Sequence, residues 1–431
     1  MPELSPFSFY AETGDPHLRF APLAAAAEVE TVIVGGGFAG LATALSLLER
    51  GERGCMLLEA QAIGHGASGR NGGFVSGGFS LDAARLHRRL GHEQARRLYL
   101  MSEDAVALIR RRIGRYAIDC DPVYGGVIVA SWFNEDRSLR ELQRFMQEKF
   151  GLHWHWLSRE ALRGLLLTDR YFAGLHELDA FHFNPLKYAQ GKARVLRDGG
   201  VALHEASRVL EIRRQGAGWR VETAAARVQC RRVVVCCGGY LDGLCPPLAR
   251  ATLPIATYVM ATEPLGERLR EAIRTDAAVF DTRFAFDYYR VLPDTRLLWG
   301  GRMSIREQSA AGVARLLHGD LVRVYPQLRD ARVTHAWSGL MSYSRHQMPQ
   351  IGCLPDGIWY AIGFGGHGVA PTTLGGEVLA RAMLGEAPIP PSLQAYGLEP
   401  TFGTLGLLAA QGTYWALQAR DALLAWRHPG H

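Results

Sequence analysis

The clearest pattern near the start of the chain is an unbroken apolar run, a turn, and then a helical segment. Residues 31–34 read Thr-Val-Ile-Val, which is typical of a strand buried on both faces. Residues 41–50 are rich in Leu and Ala and are followed by Gly51, which predicts a helix with a glycine stop. A second apolar run, residues 55–58, predicts a strand that ends at Glu59. The order of strand, helix and strand indicates an α/β unit with parallel strands.

The turn between the first strand and the helix has the pattern G-x-G-x-x-G. The first glycine allows a tight turn, the second allows a phosphate to approach the backbone, and the third allows close packing of helix on strand. The helix then directs its free N–H groups at the phosphates, and a carboxylate after the second strand can accept hydrogen bonds from ribose hydroxyls. This order of elements predicts a dinucleotide site formed by Gly35, Gly37, Phe38, Ala39, Gly40, Glu59 and Ala60.

Other segments show two different periodicities. Apolar runs at 232–237 and 359–362 each lead into glycines, and the second leads into a helix predicted over 371–384. Alternating apolar and polar residues at 253–264, 285–292 and 296–302 predict antiparallel strands. Residues 401–431 have a helical pattern, which most simply packs on the body of the protein; a membrane or partner contact is the alternative.

Composition and charge narrow the class of protein. The formal charge of +6 comes almost entirely from arginines that are spread along the chain, so we expect no nucleic-acid partner. No run reaches the roughly 18 apolar residues of a membrane span. The first residues lack the pattern of a secretory signal, which favours a cytoplasmic protein. The seven cysteines have no metal-site spacing, so we expect core thiols and no metal.

A second glycine-rich segment follows the predicted strand that ends at Glu59. Residues 66–73 read Gly-Ala-Ser-Gly-Arg-Asn-Gly-Gly. Glycine loses much conformational freedom on folding, so this density favours a close backbone approach to another part of the ligand. The segment resembles the D-amino-acid oxidase superfamily of flavoproteins. It is most similar to the branch with gamma-glutamylputrescine oxidoreductase, glycine oxidase and sarcosine oxidase.

The resemblance implies FAD, bound non-covalently, and a two-domain α/β fold. A Rossmann-type FAD-binding domain is expected beside an α+β substrate domain built on an antiparallel sheet. Chain order then makes the FAD-binding domain discontinuous, with residues 1–80, 151–250 and 333–400. The substrate domain takes residues 81–150 and 251–332, and residues 401–431 form a helical extension.

The resemblance also implies which residues contact FAD beyond the first motif. The turn at 363–368 and the helix after it should face the flavin ring, where the helix dipole favours negative charge on the reduced ring. The further cofactor residues are Ala67, Ser68, Arg70, Asn71, Gly72, Gly73, Val209, Cys237, Gly238, Gly365, Gly366, His367, Gly368 and Val369.

The implied activity is oxidation of the C–N bond of a small-molecule amine, with hydride passing to the flavin. The product is an imine that hydrolyses to an aldehyde, and oxygen or an electron carrier reoxidises the flavin, giving hydrogen peroxide in the first case. The protein has to position the substrate and exclude water, so no catalytic triad is expected. The oligomeric state stays open.

Departures from the relatives bear on the substrate. The position that holds a carboxylate-binding arginine in glycine oxidase corresponds to Met341. A flavin-linking cysteine and a lysine of sarcosine oxidase correspond to Leu340 and Leu298. These departures disfavour a simple amino acid and favour a long amine such as a gamma-glutamylated polyamine. Two alternatives stay open: an amino-acid oxidase or dehydrogenase that uses Arg290 or Arg302, and a flavin-binding protein without turnover.

The candidate catalytic side chains each have an alternative structural role. His367 can support the reduced flavin, act as a base, or only pack, and Arg70 can place a positive charge near the ring or join an ion pair. Strand residues alternate between faces, so Tyr288 and Tyr289 cannot both face the pocket. The catalytic candidates are His367, Arg70, Tyr258, Tyr289 and Met341.

Overall fold

The computed structural model describes residues 4–5 and 7–427. In chain order its strands are β1 (Ala27–Val34), β2 (Cys55–Leu58), β3 (Phe74–Val75), β4 (Val127–Ala130), β5 (His155–Leu157), β6 (Gly174–Glu177), β7 (Phe181–His182), β8 (Ala202–His204), β9 (Val209–Gln215), β10 (Gly218–Thr223), β11 (Arg227–Val235), β12 (Leu253–Thr262), β13 (Ala278–Asp281), β14 (Asp287–Val291), β15 (Leu297–Ser304), β16 (Val333–Tyr343), β17 (Gln350–Cys353) and β18 (Trp359–Ile362). The α-helices are α1 (Phe9–Thr13), α2 (Phe38–Leu48), α3 (Ala83–Leu90), α4 (His92–Arg115), α5 (Arg137–Phe145), α6 (Arg159–Leu165), α7 (Pro185–Asp198), α8 (Pro246–Ala249), α9 (Ala310–Val324), α10 (Val369–Met383), α11 (Pro391–Gln394) and α12 (Gly403–Arg427).

The first sheet has the order β17-β18-β11-β1-β2-β8, and β9 and β10 extend it from β11. β1 lies between β2 and β11 and is parallel to both. Its last four residues, 31–34, are buried, as the apolar run predicts for a central parallel strand. The strand begins four residues earlier than the apolar run because residues 27–29 also pair with β11. The predicted α/β unit at the start of the chain is confirmed.

Helices cover one face of this sheet and a hairpin extends beside the other. Apolar residues of α2, α4, α7 and α10 form one cluster with the inward side chains of β1 and β2. The opposite face packs with Trp219 and Val221 of the β9–β10 hairpin and with Leu248 of α8. The central strands therefore have no solvent-exposed face, and their ends, rather than their faces, are free to bind a ligand.

The second sheet has the order β16-β12-β15-β14-β13-β4-β6-β5. Its neighbours are antiparallel, as predicted, except β4 and β13, which run parallel. The helix α9 covers one face of the sheet through Val313, Leu317 and Leu321. The fold class is confirmed, with a Rossmann-type unit beside an α+β unit.

The two units do not follow the predicted boundaries. β5, β6 and β16 belong to the second sheet, whereas residues 151–250 and 333–400 were assigned to the FAD-binding domain. Helices α3 and α4 pack in the cluster of the first sheet, although residues 81–150 were assigned to the substrate domain. Apolar spacing identifies an element but not the sheet on which it packs, so these boundaries were wrong.

The C-terminal segment is helical from Gly403 to Arg427, and residues 428–431 of the predicted extension lie outside the described residues. Thr401 anchors the start of α12 by hydrogen bonds to the carbonyl of Arg250, 2.9 Å from its backbone nitrogen and 3.0 Å from its hydroxyl. Within residues 7–427, no helix combines the length and apolar character needed to cross a membrane.

Candidate functional site

A cavity of about 1220 Å³ is lined by residues of both sheets. One end lies against the β1–α2 turn, and the other end lies against β14, β15 and α12. Most of the predicted cofactor residues line it: Gly35, Gly37, Phe38, Ala39, Glu59, Ala60, Ala67, Ser68, Arg70, Asn71, Gly72, Val209, Cys237, Gly238, Gly365, Gly366, His367, Gly368 and Val369. The motifs that are far apart in sequence therefore meet in one continuous space.

The β1–α2 turn shows why glycines are required there. Gly35 has φ +111°, and a Cβ on it would lie 2.7 Å from the carbonyl oxygen of Cys236. A Cβ on Gly40 would lie 1.9 Å from the carbonyl oxygen of Gly35, so the third glycine allows α2 to pack on the turn and does not line the cavity. The N–H of Phe38 donates to the hydroxyl of Ser68 at 2.8 Å, which joins the helix start to the second glycine-rich segment.

The carboxylate of Glu59 lies at the end of β2, beside the turn. One oxygen accepts the N–H of Gly36 at 2.7 Å and the other accepts the N–H of Gln61 at 2.8 Å. Burial raises the pKa of this carboxyl, and the two backbone hydrogen bonds oppose that shift. Each oxygen has a second lone pair that can accept a further hydrogen bond from the cavity.

The segment 66–73 is braced by its own side chains and by the second sheet. Asn71 donates to the carbonyls of Ala67 and Ser68 and accepts the N–H of Gly73. Gly73 has φ +81°, and a Cβ on it would lie 2.0 Å from the carbonyl of Phe183. Gly73 therefore packs against the chain and does not line the cavity, contrary to its predicted contact with FAD.

Another glycine turn, at 363–368, forms the wall opposite this segment. A Cβ on Gly365 would lie 2.4 Å from the hydroxyl of Ser80, and the backbone N–H of His367 donates to the same hydroxyl at 3.1 Å. The ring Nε2 of His367 lies 3.2 Å from the carbonyl oxygen of Ser76. Burial lowers the pKa of His367, so the ring is neutral and Nε2 can donate to that carbonyl.

Ser76, Ser80 and Tyr343 line this wall but were missed by the sequence analysis. Burial raises the pKa of Tyr343 to about 12, so its hydroxyl stays protonated near Gly366. The serines follow a predicted glycine-rich segment, which was the available signal for them. Nothing in the local sequence indicates that Tyr343 approaches the 363–368 turn.

Met341 lies on β16 and lines the cavity beside the same turn. A Cβ on Gly366 would lie 3.6 Å from its sulfur atom. Leu340 also lines the cavity, but Leu298 is fully buried in a cluster with Phe9 and does not line it. The position expected to match a lysine is therefore a core position in this chain.

Tyr258 and Tyr289, two of the predicted catalytic residues, do not line the cavity. Tyr289 is fully buried, stacks on Trp299 with ring centroids 4.4 Å apart, and shares a hydrogen bond with Tyr325. The hydroxyl of Tyr258 donates to the carbonyl of Arg306 at 2.6 Å. Strand alternation instead directs Tyr288 to the cavity.

The two arginines proposed as carboxylate ligands are occupied by the protein. Arg290 is 2% exposed and donates to the carbonyls of Gly72 and Phe183, so it holds the glycine-rich segment in place. Arg302 lines the cavity, but its guanidinium makes a bidentate pair with Asp320 at 2.8 and 2.5 Å. Neither guanidinium is directed to a small substrate carboxylate.

Arg70 belongs to the 66–73 segment and lines the cavity. Its guanidinium donates to the carbonyl of Ser338 at 3.2 Å, and its own carbonyl accepts the indole N–H of Trp337 at 2.9 Å. No carboxylate partner is recorded for it among residues 7–427, so the ion-pair alternative has no support from the described contacts. Its positive charge faces the cavity.

Comparison with known proteins identifies the family. The family of FAD-dependent oxidoreductases known as DAO matches residues 30–382. Gamma-glutamylputrescine oxidoreductase of Escherichia coli (strain K12) is 35% identical over 383 residues, which cover 88% of this chain and 89% of that protein. The chain belongs to this family. It is an FAD-dependent oxidoreductase, and its relatives include enzymes named for oxidation of amines and amino acids at C–N bonds.

Solved structures support the fold assignment. Glycine oxidase from Geobacillus kaustophilus superposes with a TM-score of 0.71 at 20% identity, covering 86% of this chain and 99% of that one. L-proline dehydrogenase from P. horikoshii gives a TM-score of 0.71 at 18% identity, covering 86% and 97%. At these identities the likeness shows the shared fold alone.

The described residues fit FAD as the family cofactor. The first turn of α2 has N–H groups without intrahelical partners, which suit the pyrophosphate, and a Cβ on Gly37 would fill the space 2.9 Å from the Ser68 hydroxyl. Glu59 offers acceptors for the ribose hydroxyls. Val209, Cys237 and Gly238 line the same end, and the 363–368 turn leads into α10 at the other end.

Proposed function

We propose that the protein oxidises a long-chain primary amine that carries a carboxylate far from the reacting nitrogen, in the manner of gamma-glutamylputrescine. The observation that carries this proposal is Met341 beside Gly366, where a thioether rather than a cation meets the part of the substrate next to the flavin. The similarity to gamma-glutamylputrescine oxidoreductase supports the same substrate class.

The charges around the cavity support an amine rather than a small amino acid. Binding a carboxylate near the reacting carbon requires a free guanidinium or another donor that is desolvated with it. Arg290 and Arg302 make their hydrogen bonds to the protein instead. The amino-acid alternative therefore has no observation in its favour at these two positions.

The residues that line the cavity position the substrate. When bound, FAD would supply the acceptor for a hydride, which carries two electrons, from the carbon beside nitrogen. Phe280, Phe286 and Tyr288 form an apolar lining that removes water from the substrate and lowers the pKa of its ammonium group. A neutral amine is the reactive form, so this desolvation favours the reaction.

His367 has a positioning role in this proposal. Its neutral ring binds the Ser76 carbonyl and its backbone binds the Ser80 hydroxyl, so it holds the 363–368 turn against the segment that contains β3. Arg70, in the 66–73 segment, places a positive charge at the cavity and balances negative charge that develops nearby. The oxidised product is an imine that hydrolyses to an aldehyde and ammonia, with oxygen or a carrier as the final acceptor.

Anaerobic reduction of the bound flavin tests the proposal. The enzyme is mixed with gamma-glutamylputrescine, putrescine, glycine, sarcosine and D-alanine, and loss of the flavin absorbance is followed. We expect fast bleaching by the first compound, slowed by deuterium on the carbon beside the reacting nitrogen. Bleaching by glycine, sarcosine or D-alanine with inert polyamine derivatives would overturn the proposal. Absence of bleaching by every compound, with dithionite still reducing the flavin, would favour a non-turnover flavoprotein.

Substitution of Met341 tests the observation on which the proposal rests, the position of this side chain beside Gly366. Met341→Arg should increase the affinity for glycine or sarcosine because it places a guanidinium beside the turn. Met341→Leu is the matched control, since it keeps the volume and adds no charge. Equal affinity of the two variants for these amino acids would show that this side chain does not face the reacting end of the substrate.

A further inference from the structure

The outer wall of the cavity is supplied by α12, which lies beyond the residues 30–382 matched by the family. Three of its side chains line the cavity: Tyr414, Leu417 and Arg420. They lie within two turns of the helix, so one side of α12 faces the second sheet and its cavity. The segment outside the family match therefore contributes directly to the space where the substrate binds.

The protein fixes α12 over the cavity by side-chain hydrogen bonds to backbone groups. The side-chain oxygen of Gln411 accepts the N–H of Ile305 at 3.1 Å. A carboxylate oxygen of Asp421 accepts the N–H of Phe284 at 2.7 Å and that of Ala285 at 3.3 Å. Gln411 and Asp421 are both buried, so the helix is docked at both ends of the stretch that lines the cavity.

The lining between α12 and the inner wall is mainly apolar and aromatic. The ring of Tyr414 lies 6.0 Å from that of Phe284, and Phe286 lies 5.8 Å from Phe280 and 6.3 Å from Tyr288. This surface suits the uncharged carbon chain of a long amine. A carboxylate at the far end of such a substrate needs a cation beyond the aromatic lining of the cavity.

Six arginines line the cavity, and three of them already pair with an aspartate. Arg283 and Arg302 bind buried aspartates bidentately, and Arg208 pairs with Asp242 at 3.0 Å beside the cofactor residue Val209. Arg70 lies on the inner wall. Two arginines with largely exposed side chains, Arg85 and Arg420, are left.

Arg420 is the better placed of these two. The nearest carboxylate oxygen, Oδ1 of Asp421, is 3.8 Å from its guanidinium, which is beyond hydrogen-bond distance, and the other oxygen of Asp421 accepts two backbone amides. Arg420 lies next to the aromatic lining through Leu417 and Tyr414 on the same helix. Arg85 instead donates to Gln347 at 3.1 Å and lies near Asp82, at the start of α3.

We propose that Arg420 on α12 binds the distal carboxylate of the long-chain amine and so determines selection of carboxylated over uncharged amines. The inference rests on the proposed function and names a specificity residue for it. The guanidinium acts on binding alone, since it lies at the outer end of the cavity and away from the 363–368 turn. The rate of flavin reduction at saturating substrate should therefore not depend on it.

The test compares Arg420→Gln and Arg420→Glu with the unaltered enzyme, using gamma-glutamylputrescine and N-acetylputrescine. The first amine carries the carboxylate and the second is a shorter amide without it. The glutamine variant should raise KM for gamma-glutamylputrescine about threefold to fivefold, the upper part of the range for a largely exposed ion pair. The glutamate variant should raise it by about tenfold or more, because like charges then meet. KM for N-acetylputrescine and both kcat values should stay within about twofold.

Two further variants separate this role from general effects. Arg315→Gln removes an exposed arginine of α9 that does not line the cavity, and should leave the ratio of the two KM values unchanged. Arg85→Gln tests the competing arginine. Salt is an independent readout: rising ionic strength should raise KM for the carboxylated amine with Arg420 present and have little effect in Arg420→Gln.

The outcomes distinguish the role of Arg420 from the proposed function itself. Turnover of gamma-glutamylputrescine with an unchanged KM ratio in both Arg420 variants overturns the role of Arg420 and leaves the proposed function intact. A rise in KM for gamma-glutamylputrescine caused by Arg85→Gln instead assigns the carboxylate to Arg85 and also overturns the role of Arg420. Failure of the unaltered enzyme to oxidise either amine overturns the proposed function, and this inference with it.

Discussion

Replacement of Glu59 by alanine is the sharpest test of how the cofactor is held. The side chain already accepts two backbone N–H groups, from Gly36 and Gln61, and has lone pairs left for the ribose hydroxyls. A hydrogen bond to a charged acceptor contributes about 1.5–3 kcal/mol. Loss of the ribose contacts should therefore weaken FAD binding by about tenfold to about 150-fold.

The same substitution also removes two hydrogen bonds within the protein, so stability and affinity have to be measured separately. Urea unfolding of the apoprotein gives the free energy of unfolding, and titration of the apoprotein with FAD, followed by flavin fluorescence, gives Kd. Glu59→Ala should lower both. Glu52→Ala is the control, because Glu52 accepts the N–H of Gly54 at 2.9 Å at the opposite end of β2 and does not line the cavity.

Glu52→Ala should reduce the free energy of unfolding and leave Kd for FAD unchanged. The reasoning is refuted if Glu59→Ala behaves like this control. In that case the carboxylate only braces the turn, and the ribose lies elsewhere along the cavity.

Three further predictions concern the cofactor linkage, the turn and a buried acid. Acid precipitation should release FAD into the supernatant, because Leu340 stands where relatives link the flavin to cysteine; yellow colour retained in the pellet would contradict this. Gly40→Ala should destabilise the protein by about 3 kcal/mol or more in urea unfolding, because its Cβ would lie 1.9 Å from a backbone oxygen, while Gly164→Ala, with open space around it, should be neutral or stabilising. Burial and the nearby acids Asp179 and Asp104 raise the pKa of Glu103 from 4.5 to about 7. The folded protein therefore keeps a proton on Glu103 that the unfolded chain loses above pH 4.5. The contribution of Glu103 to the free energy of unfolding is complete below pH 4.5 and is lost as the pH rises through 7. The free energy of unfolding should fall by about 1–3 kcal/mol between pH 5 and pH 7.5, and it should change less in Glu103→Gln. Equal pH dependence of the two proteins would contradict a raised pKa of Glu103.

The parts of the site that depend on neighbouring residues could be predicted from the sequence. The motif from Gly35 to Glu59 specifies its own strand, turn and helix, and β2 has the predicted bounds Cys55–Leu58. Strand alternation showed that only one of Tyr288 and Tyr289 could face the cavity. Which one does so depends on where α9 packs, because Tyr289 faces the cluster on that side of the sheet.

Contacts between distant segments could not be predicted in the same way. The serines at 76 and 80 meet the 363–368 turn although 287 and 291 residues separate the bonded partners. β16 was assigned to the wrong unit because an apolar strand shows no preference between the two sheets, and its ten-residue pairing with β12 decides the question. The role of α12 as a cavity wall depends on Asp421 reaching the backbone at Phe284, which no local pattern indicates.

The position of β1 between β2 and β11 has a consequence for how the protein is made. Val34 pairs with Leu58 on one side and with Val235 on the other, and β11 pairs in turn with β18 at Trp359. A ribosome adds about 5–20 residues per second, so the first strand emerges tens of seconds before the strands that complete its sheet. During that interval one edge of β1 is an unpaired apolar strand, which is prone to pairing with other chains.

Cofactor loading must therefore follow synthesis of nearly the whole chain. A nascent chain that stops before the 363–368 turn has the β1–α2 turn but lacks the later residues that line the cavity, from 364 to 420. Scarcity of flavin during expression should then increase the aggregated fraction, since the bound nucleotide would otherwise stabilise the completed sheet.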